Sequence, residues 1–430
     1  MKNPNKSNQV LRFDPFGILF HLVLWVALFS AMNMFFFQLG GQSLLAVFRG
    51  IVDQSVKPEF AGRDFVNYWM AGKLLLQGNL EQLFPQDVYQ QRLEETFGFE
   101  MEIRNWSYPP HSLLLIWPLG LFTFKQGFIL FHLVTFILFA VSVWHLATSE
   151  PYNIAGKHLF LIALFLLPFA IAQLSYSQNG FLYAALFNYF FYFRTRNQLV
   201  AGIMLALMTT KPQLGLLVPV LLLFERQYRL ILYTMVLSAV MVGVTLIAFG
   251  LQPWLDFWEI TVPYQHFVMT NWQGIFWGMM PTVFGSLRHF GLGYDMSMII
   301  HLAMATLIFV LTIMGFWKSE TREQRDHVLV SATFCILPYA FVYDMGVFMT
   351  YAAILLVQRL KEKQPVSLVQ SAFYHLLFMM PLLMPFTYSE TGGMLGNLRL
   401  LYFLFPALVL VYFLTVIKSV LGSASRLSTP

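Results

Sequence analysis

The sequence predicts an all-α polytopic membrane protein, and three observations carry that prediction. Mean hydropathy is +0.63. Hydrophobic residues make up 58% of the 430 positions and charged residues only 11%, less than half the charge of a typical soluble domain. Apolar runs of about 18 residues or more recur along the chain, the length a helix needs to cross a bilayer.

The elements follow in order. The first apolar run, 16–39, reads as too long, and too poorly followed by a small-residue cleavage site, for a removable signal peptide. Lys2, Lys6 and Arg12 precede it, so the N-terminus is expected in the cytoplasm and the next segment outside. That segment, 40–107, carries more acidic than basic residues, as suits an exterior loop. Within it the pattern predicts a helix over 65–76, closed by Gly78 as its C′ residue, and an amphipathic helix over 86–97. Both suit the membrane interface, apolar face down.

Long runs follow at 127–147, 158–174, 230–250, 298–317, 367–386 and 398–417. Shorter apolar pieces lie at 111–122, 181–193, 201–208, 213–224, 274–287, 328–342 and 346–357. Together they predict about 10 to 13 transmembrane helices in a single integral membrane domain, 1–430, with the helical loop 40–107 as its largest polar part.

Basic residues assign the sides. Arg194/Arg196, Arg226/Arg229, Lys318/Arg322/Arg325, Arg359/Lys361/Lys363 and Lys418/Arg426 mark cytoplasmic turns. The junction 209–213, the pair Tyr343-Asp344, the turn 388–397 and the Trp- and Pro-rich segment 252–274 then fall outside. Taking 109–124, 127–147, 158–174 and 181–193 as four full crossings would put Arg194 on the wrong side. One of them is therefore expected to be re-entrant or interfacial. The short, proline-bracketed piece 109–118 is the first choice, and it leaves 176–180 exterior too.

Composition also excludes classes of function. The net charge of +5 arises mostly from short loops and does not point to nucleic acid. Cys335 is the only cysteine and sits in an apolar run, so it forms no internal disulfide and redox chemistry has no support. His266, His289 and His301 are scattered, and neither HExxH, paired CxxC, a Walker motif nor GxGxxG occurs. No spacing calls for a tightly bound metal or a soluble nucleotide-sugar site; a labile divalent ion stays open.

Chemistry gathers at a few polar interruptions. In a helix, Asp64, Asn67, Tyr68 and Ala71 share one face, so Asp64 is the candidate general base of a group transfer. Its plainer reading is an ion pair with Arg63 or another exposed cation, or an N-cap before Phe65. Lys211 precedes Pro212, which suits a helix start. An exterior ammonium beside a helix N-terminus is a phosphate site, and a snorkelling interfacial lysine is the alternative. Gln178-Asn179-Gly180 offers two amides for sugar hydroxyls, or a self-bonded turn. Asp344 with Tyr343 faces a polar cavity or caps the next helix. Tyr108, in Asn105-Trp106-Ser107-Tyr108-Pro109-Pro110-His111, anchors the interface or stacks on a sugar. Asn105-Trp106-Ser107 also has the form of an N-glycosylation acceptor.

Taken in order, these pieces resemble glycosyltransferase family 87, polyprenyl-phosphate-mannose-dependent mannosyltransferases of the GT-C fold. The resemblance rests on GRDFVNYWMAGKLLLQGN, YPPHSLLLIWPLGLF, QNGFLYAALF, LVAGIMLALMTTKPQLGLLVPVLLL and LPYAFVYDMGVFMTYAAIL, with FGLQPW and MMPTVFGSLRHFGL between them. It covers roughly residues 60–360 and is weakest at both ends. It implies that Asp64 matches the family's loop-one catalytic aspartate and Lys211 its Lys-Pro lysine. It further implies a polyprenyl-phosphate sugar as donor, no other cofactor, and a lipid or glycan acceptor. The reaction would be inverting, at the exterior face of a cell membrane such as the bacterial inner membrane. Mannose is inherited from the resemblance alone. The rival class is a transporter or lipid flippase, with a polar site where helices break at Gln178-Asn179-Gly180 and Lys211-Pro212.

Overall fold

Helix boundaries in the computed structural model follow local side-chain chemistry. The structure describes residues 64–272, 275–364, 366–384 and 402–426. The run 16–39, the N-terminal Lys2, Lys6 and Arg12, residues 40–63 and the turn 388–397 lie outside the described residues.

The principal helices, in chain order, begin with α1 (Phe65–Gln77), α2 (Gln86–Phe97), α3 (Phe124–Thr148) and α4 (Lys157–Tyr176). Next come α5 (Gly180–Phe193), α6 (Gln198–Met208), α7 (Tyr228–Phe249) and α8 (Tyr294–Lys318). The last are α9 (Arg322–Ile336), α10 (Gly346–Lys361), α11 (Leu368–Leu383) and α12 (Leu404–Arg426). Among the described residues no strand occurs. Capping boxes open α3, α9 and α11: Thr123, Thr321 and Ser367 each accept from the amide three residues on, and Gln126, Gln324 and Gln370 reach back. Gly78 and Gly98 close α1 and α2 with φ of 75° and 77°, the left-handed turn that glycine adopts freely.

Among the described residues, five helices are long and apolar enough to cross a membrane: α3, α4, α7, α8 and the Leu404–Gly422 part of α12. The shorter apolar helices are of another kind. With 14 and 11 residues, α5 and α6 reach only about 21 and 17 Å, against about 30 Å of hydrocarbon. They end at breaks inside the protein, where Ser177, Gln178, Asn179, Thr210 and Lys211 are all buried. Irregular backbone at such depth needs this cover, because its free polar groups have no water to bond.

Among the described residues two apolar clusters result. The larger is built from α4, α5, α9, α10, α11 and α12. The smaller surrounds α1 and includes Leu83, Tyr89, Trp106, Leu113 and Leu119, with Phe128 and Phe131 of α3. Phe65 lies 5.4–5.5 Å from the rings of Phe124, Phe128 and Phe131. Trp69 Nε1 donates to the Phe122 carbonyl at 3.0 Å. Helix α1 is thus enclosed by protein on nearly every side, while α2 turns only Tyr89 and Leu93 fully inward. The piece Pro110–Leu121 is a short broken helix packed against α1.

That packing depends on a glycine pair. A Cβ on Gly120 would lie 2.4 Å from the Gly72 carbonyl carbon and oxygen, and one on Gly72 would lie 2.9 Å from Gly120 N. Gly120→Ala must therefore push α1 off its support, at about 1–3 kcal/mol or more. Thermal unfolding in detergent should show a clear loss for Gly120→Ala. Gly243→Ala, whose Cβ meets nothing within 4 Å, should be neutral or slightly stabilising.

Candidate active site

Asp64 occupies the N-cap position of α1 but makes no side-chain capping bond. Its carboxylate turns away from the helix instead. Arg104 Nη1 approaches Oδ1 at 3.3 Å, and Gln178 Nε2 donates to Oδ2 at 2.5 Å. Its side chain is 28% exposed, and that of Arg104 12%. The carboxylate is therefore both ionically partnered and reachable.

Gln178 arrives there because α4 stops two residues earlier. Ser177 adopts φ 55°, and Gln173 Nε2 donates to the Gln178 carbonyl, so the chain bends before α5 begins. Gly180 fits because there is no room for a side chain. A Cβ there would fall 1.8 Å from the Tyr343 carbonyl oxygen. The turn Val342–Asp344 is thereby pressed against the start of α5.

From Gln178 the polar contacts run on without a gap. Tyr68 Oη donates to Gln178 Oε1 at 2.6 Å and lies 2.9 Å from Tyr108 Oη. Asn179 Nδ2 donates to Tyr108 Oη at 2.9 Å. Lys211 Nζ donates to Asn179 Oδ1 at 3.3 Å and to Asp344 Oδ1 at 2.5 Å. Asp344 Oδ2 in turn accepts from the Phe341 amide at 3.2 Å. Asp64, Tyr68, Tyr108, Gln178, Asn179, Lys211 and Asp344, drawn from five distant stretches of the sequence, form one connected chain.

Burial grades this chain. Lys211, Asp344, Gln178 and Asn179 are all less than 9% exposed, so Asp64 forms the open end. Lys211 does not snorkel. Its ammonium also lies 5.4 Å from the ring centres of both Tyr183 and Tyr343, aromatic faces that favour a cation. With two of three protons bonded, one direction remains for a further acceptor. Burial, then the neighbouring Tyr108 and Asp64, pushes the Tyr68 phenol well above its usual range. Burial, then Tyr183, does the same for Tyr108. Both phenols therefore stay protonated and act as donors, while the carboxylates accept.

Several expectations change at this resolution of detail. Asn67 does not join Asp64 and Tyr68: it accepts from the Tyr89 hydroxyl of α2 at 3.0 Å. Pro212 opens only a single 3₁₀ turn, Pro212–Gly215, before the short helix Val218–Phe224. One turn aligns few peptide dipoles, so Lys211 itself is the cation here. Arg63 lies outside the described residues, and the cation found on Asp64 is Arg104. Asp344 serves both readings, capping a turn and partnering Lys211.

Arg104 carried no signal in the sequence, because one arginine in a polar loop is ordinary. His111 is another addition. It packs parallel to Trp254 at 5.6 Å and lies 3.1 Å from Thr209 Oγ1, two residues before Lys211. Among the described residues no three His, Cys, Asp or Glu side chains come together as metal ligands.

Comparison with known proteins gives a family match. The family model described as Glycosyltransferase family 87 matches residues 106–342, more than half of the 430 residues. The match contains Tyr108, Gln178, Asn179 and Lys211; Asp64, Tyr68, Arg104 and Asp344 flank it. No curated protein and no solved structure matches the chain.

The buried pair Lys211–Asp344, with side chains 7% and 2% exposed, yields a double-mutant test. Removing either partner strands the other charge, at about 3–5 kcal/mol. Lys211→Met and Asp344→Leu should each lower the unfolding temperature sharply. The double variant should recover much of that loss; additive losses would mean that the two charges are uncoupled.

Proposed function

The chain belongs to glycosyltransferase family 87, and on that premise we propose that it moves a hexose, mannose in our reading, from a polyprenyl phosphate to an acceptor hydroxyl. It is a membrane glycosyltransferase by that membership. The finer reading rests on one observation: a reachable carboxylate and a buried ammonium terminate a single chain of hydroxyls and amides. Those are the groups that a sugar phosphate needs.

In this reading the acceptor hydroxyl gives its proton to Asp64 as its oxygen attacks the anomeric carbon. The bond from that carbon to the phosphate oxygen breaks at the same time. The leaving polyprenyl phosphate gains negative charge, which Lys211 offsets through its remaining proton. Base and cation at opposite ends of the chain suit attack on the face away from the leaving group, and hence inversion. Arg104 orients Asp64. Tyr68, Tyr108, Gln178 and Asn179 exchange their mutual bonds for bonds to the sugar hydroxyls. The hydrophobic tail of the donor lies in lipid, and the acceptor is a membrane lipid or a glycan.

Orientation belongs to the same reading. Arg194, Arg196, Arg229 and Arg322 line one cleft, far along α5 from Asn179. That separation supports a cytoplasmic end rich in arginine and an exterior, periplasmic site. A multi-pass protein of a bacterial inner membrane with a cytoplasmic N-terminus fits it. Broken helices are also what a transporter would use, but membership in a transferase family favours transfer.

The test is transfer of labelled mannose from polyprenyl-phosphate-mannose to membrane lipid extracts by the purified protein. Asp64→Asn should lower the rate about 10²–10⁴-fold, the usual contribution of a general base. Unchanged transfer in that variant would remove Asp64 from the chemistry. No transfer by wild type would remove the donor assignment.

A further inference from the structure

A second polar feature lies at the other end of α5, where the chain leaves the helix at Arg194. An open cleft of ≈ 570 Å³ is lined there by Arg194, Arg196, Arg229 and Arg322, with Gln227 and Tyr233 beside them and no acidic side chain. The proposed transfer reaction makes no use of it.

The arginines divide into two sets. Arg194 is 2% exposed and structural. Its Nη1 lies 3.2 Å from Glu225 and its Nη2 2.5 Å from Asp326, while Arg325 Nε holds the other oxygen of Glu225 at 2.7 Å. Arg196, Arg229 and Arg322 are exposed, and among the described residues none of them has a carboxylate within ion-pair distance.

Two of these free cations are nevertheless held in place. The Arg196 guanidinium sits 4.2 Å from the Tyr192 ring centre and donates to the Tyr192 carbonyl at 2.7 Å. Arg229 Nε donates to Tyr233 Oη at 2.8 Å. Fixed guanidinium edges of this kind suit phosphate oxygens. Gln227 adds the opposite polarity. It is 7% exposed, its Nε2 is bound to Glu225 at 2.6 Å, and its Oε1 is buried without a partner. An unpartnered acceptor on a residue that lines the cleft leaves a place for one hydroxyl donor.

The apolar surroundings decide what carries the phosphate. Leu232, Val236 and Val240 follow Arg229 at i+3, i+7 and i+11, hence on its face of α7. They are 57%, 51% and 54% exposed. Only 11% of the apolar window of α7 is buried. On α6, Leu199 lines the cleft and Ile203, one turn on, is also an exposed apolar residue. A free phosphate has nothing to place on such a surface, whereas acyl chains do.

We propose that this cleft binds an anionic phospholipid with a hydroxylated headgroup. The phosphate meets Arg196, Arg229 and Arg322, a headgroup hydroxyl donates to Gln227 Oε1, and the acyl chains lie along α6 and α7. This site is separate from the sugar-transfer chemistry and does not depend on it.

Native mass spectrometry of the purified full chain with phosphatidylglycerol or phosphatidylcholine of matched acyl chains tests it. The wild type should retain phosphatidylglycerol with about tenfold or greater preference, since each basic side chain contributes about 1 kcal/mol. Arg196→Gln, Arg229→Gln and Arg322→Gln should each reduce the preference and together abolish it. Lys157→Gln, Lys318→Gln and Lys363→Gln, equal in charge and exposed elsewhere, should together leave it intact. Equal retention of the two lipids would overturn the proposal, as would a preference that survives in the cleft variants or falls equally in the lysine controls. Displacement of the lipid by equimolar glycerol phosphate would overturn the lipid as occupant. The single variants carry the test if the triple variant does not fold.

Discussion

The buried contact between Lys211 and Asp344 is the constraint around which the polar interior is arranged. Both charges are buried, and an isolated ion at such depth would cost several kcal/mol. The break after α6 must therefore meet the break before α10. Gly180 lets the second of these approach to within contact of α5, since any side chain there would collide with the Tyr343 carbonyl. Asn179 then falls beside Lys211, Tyr108 beside Asn179, and Tyr68 beside both Tyr108 and Gln178. Asp64 takes the last amide of the series.

A polar chain of this length inside an apolar protein asks for a functional explanation, because packing alone is better served by hydrocarbon. Its members trade hydrogen bonds among themselves in a way that a polyhydroxylated substrate can imitate. The smaller apolar cluster around α1 holds Asp64 at the open end, with the Gly72–Gly120 contact setting the height of α1. The opposite ends of the helices carry a separate ionic cluster of Arg194, Glu225, Arg325 and Asp326. The two clusters fix both ends of the half-length helices, which are too short to be fixed by the bilayer alone.

Much of the candidate site was legible in the sequence for a simple reason. When 58% of residues are hydrophobic, each polar interruption must find partners, and other interruptions are the nearest supply. Gln178, Asn179, Lys211 and Asp344 thus meet although no local spacing links them. Long spans such as α3 and α7 were equally plain from hydropathy. Helical periodicity overreached at Asn67, because a shared face says nothing about which neighbour claims each residue, and Tyr89 claimed this one. Pro212 was consistent with a helix start, but a second proline at 219 and the glycine at 215 confine that start to one turn. Arg104 was invisible because its partner lies 40 residues away. Half-length helices were hard to count as spans because composition does not reveal where a break is buried.

Product stereochemistry tests single displacement between Asp64 and Lys211 most directly. With a β-linked polyprenyl-phosphate-mannose as donor, the anomeric configuration of the purified product is read by nuclear magnetic resonance. An α-linked product is predicted, because a base-activated hydroxyl attacks opposite a departing phosphate. A β-linked product would contradict it and require two displacements, with a covalent intermediate in place of a general base.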